Sequence, residues 1–254
     1  MQEKSALGRA VAMVKDLRQR CAWDRAQTRD TLRPYLIEEV HELDHAIGEG
    51  DPVAIRTEVA DLLLHLAWQL VLGEEERAFT ADQVAGDLEA KMKRRHPHLF
   101  DLGPREPWEQ LKRKEGGRGV LDGLPPTLPD LLLAFRMGER AAAVGFDWPD
   151  TAGPIAKVRE ELAEVEEALG GADKAALDHE IGDLLFSAVN VARKAGIAPG
   201  PALGRANDRF RRRFQGVEGL AAVRGIDLHT TGLDQLDLLW EDVKEDERKA
   251  PGPR

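Results

Sequence analysis

The sequence predicts an all-α protein built from two tandem helical-bundle repeats joined by a Gly/Pro-rich linker. Composition supplies the first observation. Long stretches of Ala, Leu, Glu and Arg run without the alternating β-branched pattern of strands, and charged residues reach 32% against 5% aromatics. The second is an acidic pattern that occurs twice in one register: Glu38-Glu39-x-x-Glu42 with Glu58-x-x-Asp61, then Glu160-Glu161-x-x-Glu164 with Glu180-x-x-Asp183. Matched residues such as Glu39 and Glu161 lie 122 positions apart. The third is that the same gapless comparison pairs Ala46 with Ala168, Gly48 with Gly170, Asp51 with Asp173, Ala54 with Ala176 and Leu62-Leu63 with Leu184-Leu185. Together these matches establish an internal repeat.

The elements follow in chain order. Apolar periodicity predicts helices at about 5–20, 31–49, 53–73 and 80–95, with Pro52 near a helix start and Gly48 and Gly50 near the preceding helix end. Residues 1–100 thus form an N-terminal repeat. Over residues 101–129 the composition changes, and Pro104, Pro107, Gly116, Gly117, Gly119, Gly123, Pro125, Pro126 and Pro129 break any long regular element. Residues 130–254 form the C-terminal repeat, with helices predicted at about 129–144, 154–170, 173–195 and 200–215 and a last amphipathic helix at about 233–248. The tail from Lys249 to Arg254 is expected to fray.

Charge and cysteine usage narrow the function classes. A net charge of −10 argues against general nucleic-acid or membrane-surface binding. Cys21 is the only cysteine, so there is no intrachain disulfide and no zinc-finger set. It reads as a small buried side chain in a reducing cytoplasm. The N-terminal residues have no apolar h-region, and the most apolar run, Leu62 to Leu72, is broken by His65 and Gln69. The expectation is a cytoplasmic protein, neither exported nor membrane-spanning.

The repeated acids point to a metal. Residues three apart share a helix face, so Glu39 with Glu42 and Glu58 with Asp61 each present two carboxylates in one direction. Two such helices packed antiparallel would converge four acids. Without a cation, four carboxylates repel and raise one another's pKa, and a divalent ion removes that cost. An all-oxygen set, without cysteine or paired histidine, suits Mg²⁺ or Mn²⁺ and leaves positions for water and substrate phosphates. Asp61 and Asp183 adjoin the apolar runs Leu62-Leu63-Leu64 and Leu184-Leu185-Phe186, which puts them at a core boundary. Glu38-x-x-His41 has the spacing of carboxylate-bridged di-iron bundles, but those need ExxH on two helices, and the repeat counterpart of His41 is Ala163. His41 is therefore read as a helix-surface residue.

Cations follow the acids in each repeat. Arg205, Arg209, Arg211, Arg212 and Arg213 cluster in the second, and Lys91, Lys93, Arg94 and Arg95 precede His96-Pro97-His98 in the first. Guanidinium groups opposite a bound metal are what a polyphosphate requires. The two histidines across a proline are read as a helix end.

At these residues the chain resembles the MazG nucleoside triphosphate pyrophosphohydrolases of the all-α NTP pyrophosphatase superfamily. The resemblance rests on Cys21-Ala22-Trp23-Asp24 with Gln27-Thr28, Tyr35-Leu36-Ile37-Glu38-Glu39, Arg94-Arg95-His96-Pro97-His98, Leu121-Asp122-Gly123, Val144-Gly145-Phe146-Asp147-Trp148 and Glu180-Ile181-Gly182-Asp183-Leu184-Leu185-Phe186. It implies hydrolysis of a nucleoside triphosphate to monophosphate and pyrophosphate by a Mg²⁺-dependent helical bundle that dimerises. It also implies that the C-terminal repeat is the main catalytic one. Carried over, the metal ligands are Glu161, Glu164, Glu180 and Asp183, with Glu160 as a further ligand or water-orienting base. Glu39, Glu42, Glu58 and Asp61 form a second set. The family's Asn-x-Lys-Phe-x-x-Arg segment resembles Asn207-Asp208-Arg209-Phe210-Arg211-Arg212-Arg213, which makes Asn207, Arg209 and Arg213 substrate-binding candidates, with Trp240.

Two positions depart from the family pattern. Arg209 replaces a lysine, which keeps the charge and changes the geometry, and Ala22 replaces a proline. In the first repeat the position aligned with Asn207 is Glu89, and Trp240 has no counterpart. The expected mechanism is metal-assisted attack of water on a phosphorus at the α–β linkage, with pyrophosphate leaving against Mg²⁺, Arg209 and Arg213. Two alternatives stay open: a narrow enzyme for one deoxynucleotide or for damaged nucleotides, and a nucleotide-binding regulatory protein with little turnover.

Overall fold

The structure, a computed structural model, describes residues 5–105 and 119–249. The expectations for Pro107, Gly116 and Gly117 of the linker, and for fraying beyond Lys249, lie outside the described residues. Contacts divide the chain into two compact units, Met1–Glu115 and Gly116–Arg254. All regular elements among the described residues are helical, and no helix among them is long and apolar enough to cross a membrane.

In the first unit α1 spans Ala6–Arg20, α2 Ala22–Ala26, α3 Arg29–Glu49, α4 Pro52–Glu75 and α5 Ala81–Arg95, followed by a 3₁₀ turn at Pro97–Leu99. The short α2 was not among the expected elements. The start of α3 falls earlier than expected because Thr28 and Thr31 close a capping box, each side chain bonding the other's backbone N–H. A left-handed Gly50, φ 74°, ends α3, and the Asp51 carboxylate accepts the Val53 N–H at 2.9 Å to start α4. The core joins Val11 and Val14 of α1, Leu32 of α3, and Ala67, Trp68 and Val71 of α4. It therefore uses the C-terminal half of α4. The N-terminal half, bearing Glu58 and Asp61, is left to face α3 across an open cleft.

The second unit holds α6 (Asp130–Ala142), α7 (Ala152–Leu169), α8 (Lys174–Lys194), α9 (Pro199–Arg224) and α10 (Leu233–Lys249). Asp173 caps α8 as Asp51 caps α4, its carboxylate accepting the Ala175 N–H at 2.9 Å. The hairpins α3–α4 and α7–α8 correspond, and α6 packs on α8 as α1 packs on α4. The structural repeat thus includes a first helix outside the acidic register.

The long α9 corrects the expected end near residue 215. It continues to Arg224 and stops at a left-handed Gly225, φ 65°. Val217 and Ala221 are buried against Leu239 and Val243 of α10, so apolar burial sustains the extra turns. Gly216 is where the two helices meet closely: a Cβ there would stand 3.0 Å from Val243 Cγ1.

Candidate functional site

The helix hairpins bring acids together in both units. In the second, Glu161 and Glu164 on α7 and Glu180 on α8 each offer a carboxylate oxygen within 4.8 Å of the other two. Glu161 is 3% exposed, and its charge is balanced by Lys157 one turn back on α7, with Nζ 2.5 Å from Glu161 Oε1 and 2.9 Å from Glu160 Oε1. The Lys157 contact holds the Glu161 carboxyl below its usual range. Glu164 moves the other way, raised chiefly by its hydrogen bond with Glu161 and then by burial.

Two of the expected residues stand apart from this trio. Asp183 faces His179 on its own helix, Oδ2 to Nε2 at 3.4 Å, and Glu160 turns to Lys157. Among the described residues the three glutamates converge most closely, and Asp183, one turn beyond Glu180 on α8, carries the ion pair with His179.

In the first unit Glu39, Glu42 and Glu58 meet in the same way. Tyr35 stands where the second repeat has Lys157, so no matching cation relieves them. Burial raises the Glu39 carboxyl, with Asp61 and then Glu42 adding to it, and burial followed by Glu42 raises Glu58. Behind Glu39 lies His65, 6% exposed, with Nε2 3.9 Å from Glu39 Oε1 and Nδ1 buried without a hydrogen-bond partner. Burial pushes this imidazole toward its neutral form. Ser187, also buried, occupies that place in the second repeat. An open pocket of about 860 Å³ borders the first trio and is lined by Glu42, Glu58, His41 and His45 among others.

Both trios suit a hard divalent cation. Their donors are all carboxylate oxygen, close together and mutually repelling, and a bound ion of double positive charge relieves that repulsion. The residues able to hold it are Glu161, Glu164 and Glu180 in one unit and Glu39, Glu42 and Glu58 in the other.

The other predicted residues lie on α9 and α10. Asn207 and Arg209 are exposed on α9. Phe210 stacks with Phe214 at 6.0 Å between centroids and meets Trp240 of α10 at 5.4 Å. The Arg213 guanidinium lies 5.9 Å from the Trp240 ring centroid while its Nε donates to Glu247 Oε2 at 2.8 Å. The structure thus groups Arg213 and Trp240 with two aromatic rings for which sequence reasoning gave no role. Phe210 is 60% exposed, which leaves its ring open to stacking on a planar ligand.

A sequence profile of the MazG nucleotide pyrophosphohydrolase domain matches residues 27–100 and 153–217, which carry both trios. The chain belongs to the MazG family. It is similar to the nucleoside triphosphate pyrophosphohydrolase/pyrophosphatase MazG of Thermotoga maritima, 39% identical over 230 residues that cover 88% of this chain and 89% of that one. It is also similar to the nucleoside triphosphate pyrophosphohydrolase of Escherichia coli K12, 37% identical over 248 residues, covering 92% and 94% respectively. The protein YabN of Bacillus subtilis is 39% identical over 241 residues, which span 91% of this chain and 49% of YabN. MazG family membership makes this chain an enzyme, a hydrolase acting on acid anhydrides.

Lys157 and His65 escaped the sequence reading of this MazG chain. A signal existed for each. Lys157 lies four residues before Glu161, the helical spacing for an ion pair, and His65 is a lone polar residue in an apolar run, four residues after Asp61.

Proposed function

We propose that this chain hydrolyses nucleoside triphosphates, ribo and deoxy, to monophosphate and pyrophosphate with Mg²⁺, as a broad-specificity housecleaning enzyme of the cytoplasm. The observation that carries this reading is the convergence of Glu161, Glu164 and Glu180 in a chain whose relatives are named nucleoside triphosphate pyrophosphohydrolases. Glu161, Glu164 and Glu180, with Asp183, would hold the ion, and Mn²⁺ would fit the same donors. When bound, Mg²⁺ would supply charge neutralisation at the phosphates and ease the loss of a proton from the attacking water.

The chain's own residues do the rest. Water adds to a phosphorus at the α–β linkage, the bridging P–O bond breaks, and pyrophosphate departs as the monophosphate is released. The proton lost by water passes to a carboxylate of the acidic set, with Glu160 as the water-orienting group. Arg209 and Arg213 offset the charge that develops on the pyrophosphate. Phe210 and Trp240 offer a stacking surface to the base, and stacking accepts every base because each has a π-face. That tolerance supports broad rather than narrow specificity.

We assign turnover to the C-terminal repeat, residues 130–254, and a lesser role to residues 1–100, with 101–129 as the linker. The lysine that balances the acids and the Trp240 platform occur in the second repeat alone. Homodimerisation belongs to this reading too. Leu162 on α7 and Leu185 and Phe186 on α8 are exposed by 47%, 56% and 40%, an apolar face of the kind a partner covers.

Product analysis with Mg²⁺ and each of the eight standard nucleoside triphosphates tests the proposal. Monophosphate plus pyrophosphate from many bases is expected. Release from a single base replaces broad with narrow specificity, and diphosphate plus phosphate, or no turnover at all, overturns the reading.

A further inference from the structure

We propose that His41 and His45 form a chelating site for a borderline transition ion, of the Zn²⁺ class, on the first repeat. The two lie one helical turn apart in α3, within the run His41-Glu42-Leu43-Asp44-His45. Residues four apart share a helix face, and two imidazoles at this spacing can close on one ion at about 2.0–2.1 Å from each nitrogen. Sequence reasoning took His41 alone, as the end of an ExxH, and found no partner for it on a second helix. Its partner is on its own helix.

Several observations support a site rather than a decorated surface. Both rings line the same open pocket of about 860 Å³, so they face a common space. Neither ring is held by a hydrogen bond or ion pair among the described residues, so both are available to turn toward an ion. Glu38, one turn before His41, and Glu49, one turn after His45, line that pocket too and add negative charge to it, while the pair of imidazoles is the chelate. Among the described residues no lysine or arginine lines it, so the surrounding potential attracts a cation.

The chemistry separates this site from the neighbouring trio. Imidazole nitrogen is a poor ligand for Mg²⁺ and a good one for Zn²⁺, Ni²⁺, Co²⁺ and Cu²⁺, so excess Mg²⁺ fills carboxylate sites without displacing an ion from the histidines. The second repeat cannot do this. Ala163 and Glu167 stand at the equivalent positions, so the proposed site belongs to the first repeat alone. It gives the less catalytic half of the chain an ion-binding role independent of the pyrophosphohydrolase assignment.

Calorimetric titration of the whole chain with Zn²⁺ in millimolar Mg²⁺ tests it. One equivalent per chain should bind, and His41→Gln and His45→Gln should each weaken binding at least about tenfold. Both side chains are exposed and unpartnered, so neither change threatens folding, and circular dichroism checks that. Transplanting the pair into α7 with Ala163→His and Glu167→His should add a second equivalent. Zn²⁺ affinity unchanged in both single variants, or no binding by the unaltered chain above Mg²⁺, overturns the proposal.

Discussion

Lys157 Nζ lies 2.5 Å from Glu161 Oε1, so the buried acid of the second trio already holds a cation of its own. The same contact holds the lysine above and the glutamate below their usual ranges. An arriving divalent ion must displace or share that ammonium. Replacing Lys157 with Gln should therefore lower the Mg²⁺ concentration for half-saturation, roughly three- to tenfold after allowance for solvent screening. Titration without nucleotide measures this, and unchanged or weaker Mg²⁺ binding would count against it.

Glu180 is the one member of the trio contributed by α8, so an ion bound there would link the two helices. Glu180→Gln should reduce turnover by about 10²- to 10³-fold, the range for loss of a single group that stabilises developing charge. The fold should survive, because removing a charge from a repelling set relieves it. A melting temperature that rises with Mg²⁺ in the unaltered chain and rises less in this variant would link the loss to the ion. The counterpart Glu58→Gln should cost less than about threefold on the same scale. Equal losses would mean that both repeats turn over substrate.

Asp147 bridges Arg193 at 2.7 Å and Lys194 at 2.9 Å and thereby ties the segment after α6 to the end of α8. The Arg193 side chain is 8% exposed, and its contact holds the Asp147 carboxyl well below the usual carboxylate range. The folded chain then binds fewer protons than the unfolded one, so the stabilisation is complete above the unfolded value of 3.8. It is lost as pH falls through the folded value. Asp147→Asn should cost about 2 kcal/mol at neutral pH. The difference from the unaltered chain should shrink at pH 3, and urea unfolding at the two pH values reads it out. A gap that does not depend on pH would show that the charge is not the cause.

Phe210 offers a ring outside the α9–α10 core, whereas Trp240 packs against that core. Phe210→Ala separates ligand stacking from folding for that reason. KM should rise about tenfold, within the range for one lost base–aromatic stack, with kcat changed far less. The melting temperature should stay where it was. A fall in kcat at constant KM would place the ring in the chemistry instead.

Most of the helical scaffold was legible in local sequence. Asp51 and Asp173 announce the starts of α4 and α8, because a side-chain oxygen that caps a helix is a short-range device. The register of 122 residues pairs α3 with α7 and α4 with α8, since side-chain facing on a helix depends on spacing alone. The acids of both trios were accordingly all in view before the fold.

Which acids converge was a tertiary decision. Spacing treats Glu180 and Asp183 alike, but the packed hairpin brings Glu180 within reach of Glu161 and Glu164 while Asp183 pairs with His179. Packing also decided the length of α9, where burial of Val217 and Ala221 against Leu239 carries the helix past the expected end near residue 215. The distinction between the repeats arose at the same level: Lys157 beside one buried glutamate and His65 behind the other. Sequence by itself determined the family, the helices and the inventory of carboxylates, because those depend on residue type and local spacing. Only the packed hairpins decided which carboxylates share one space and what neutralises them, because electrostatic coupling depends on distances that helix rotation sets.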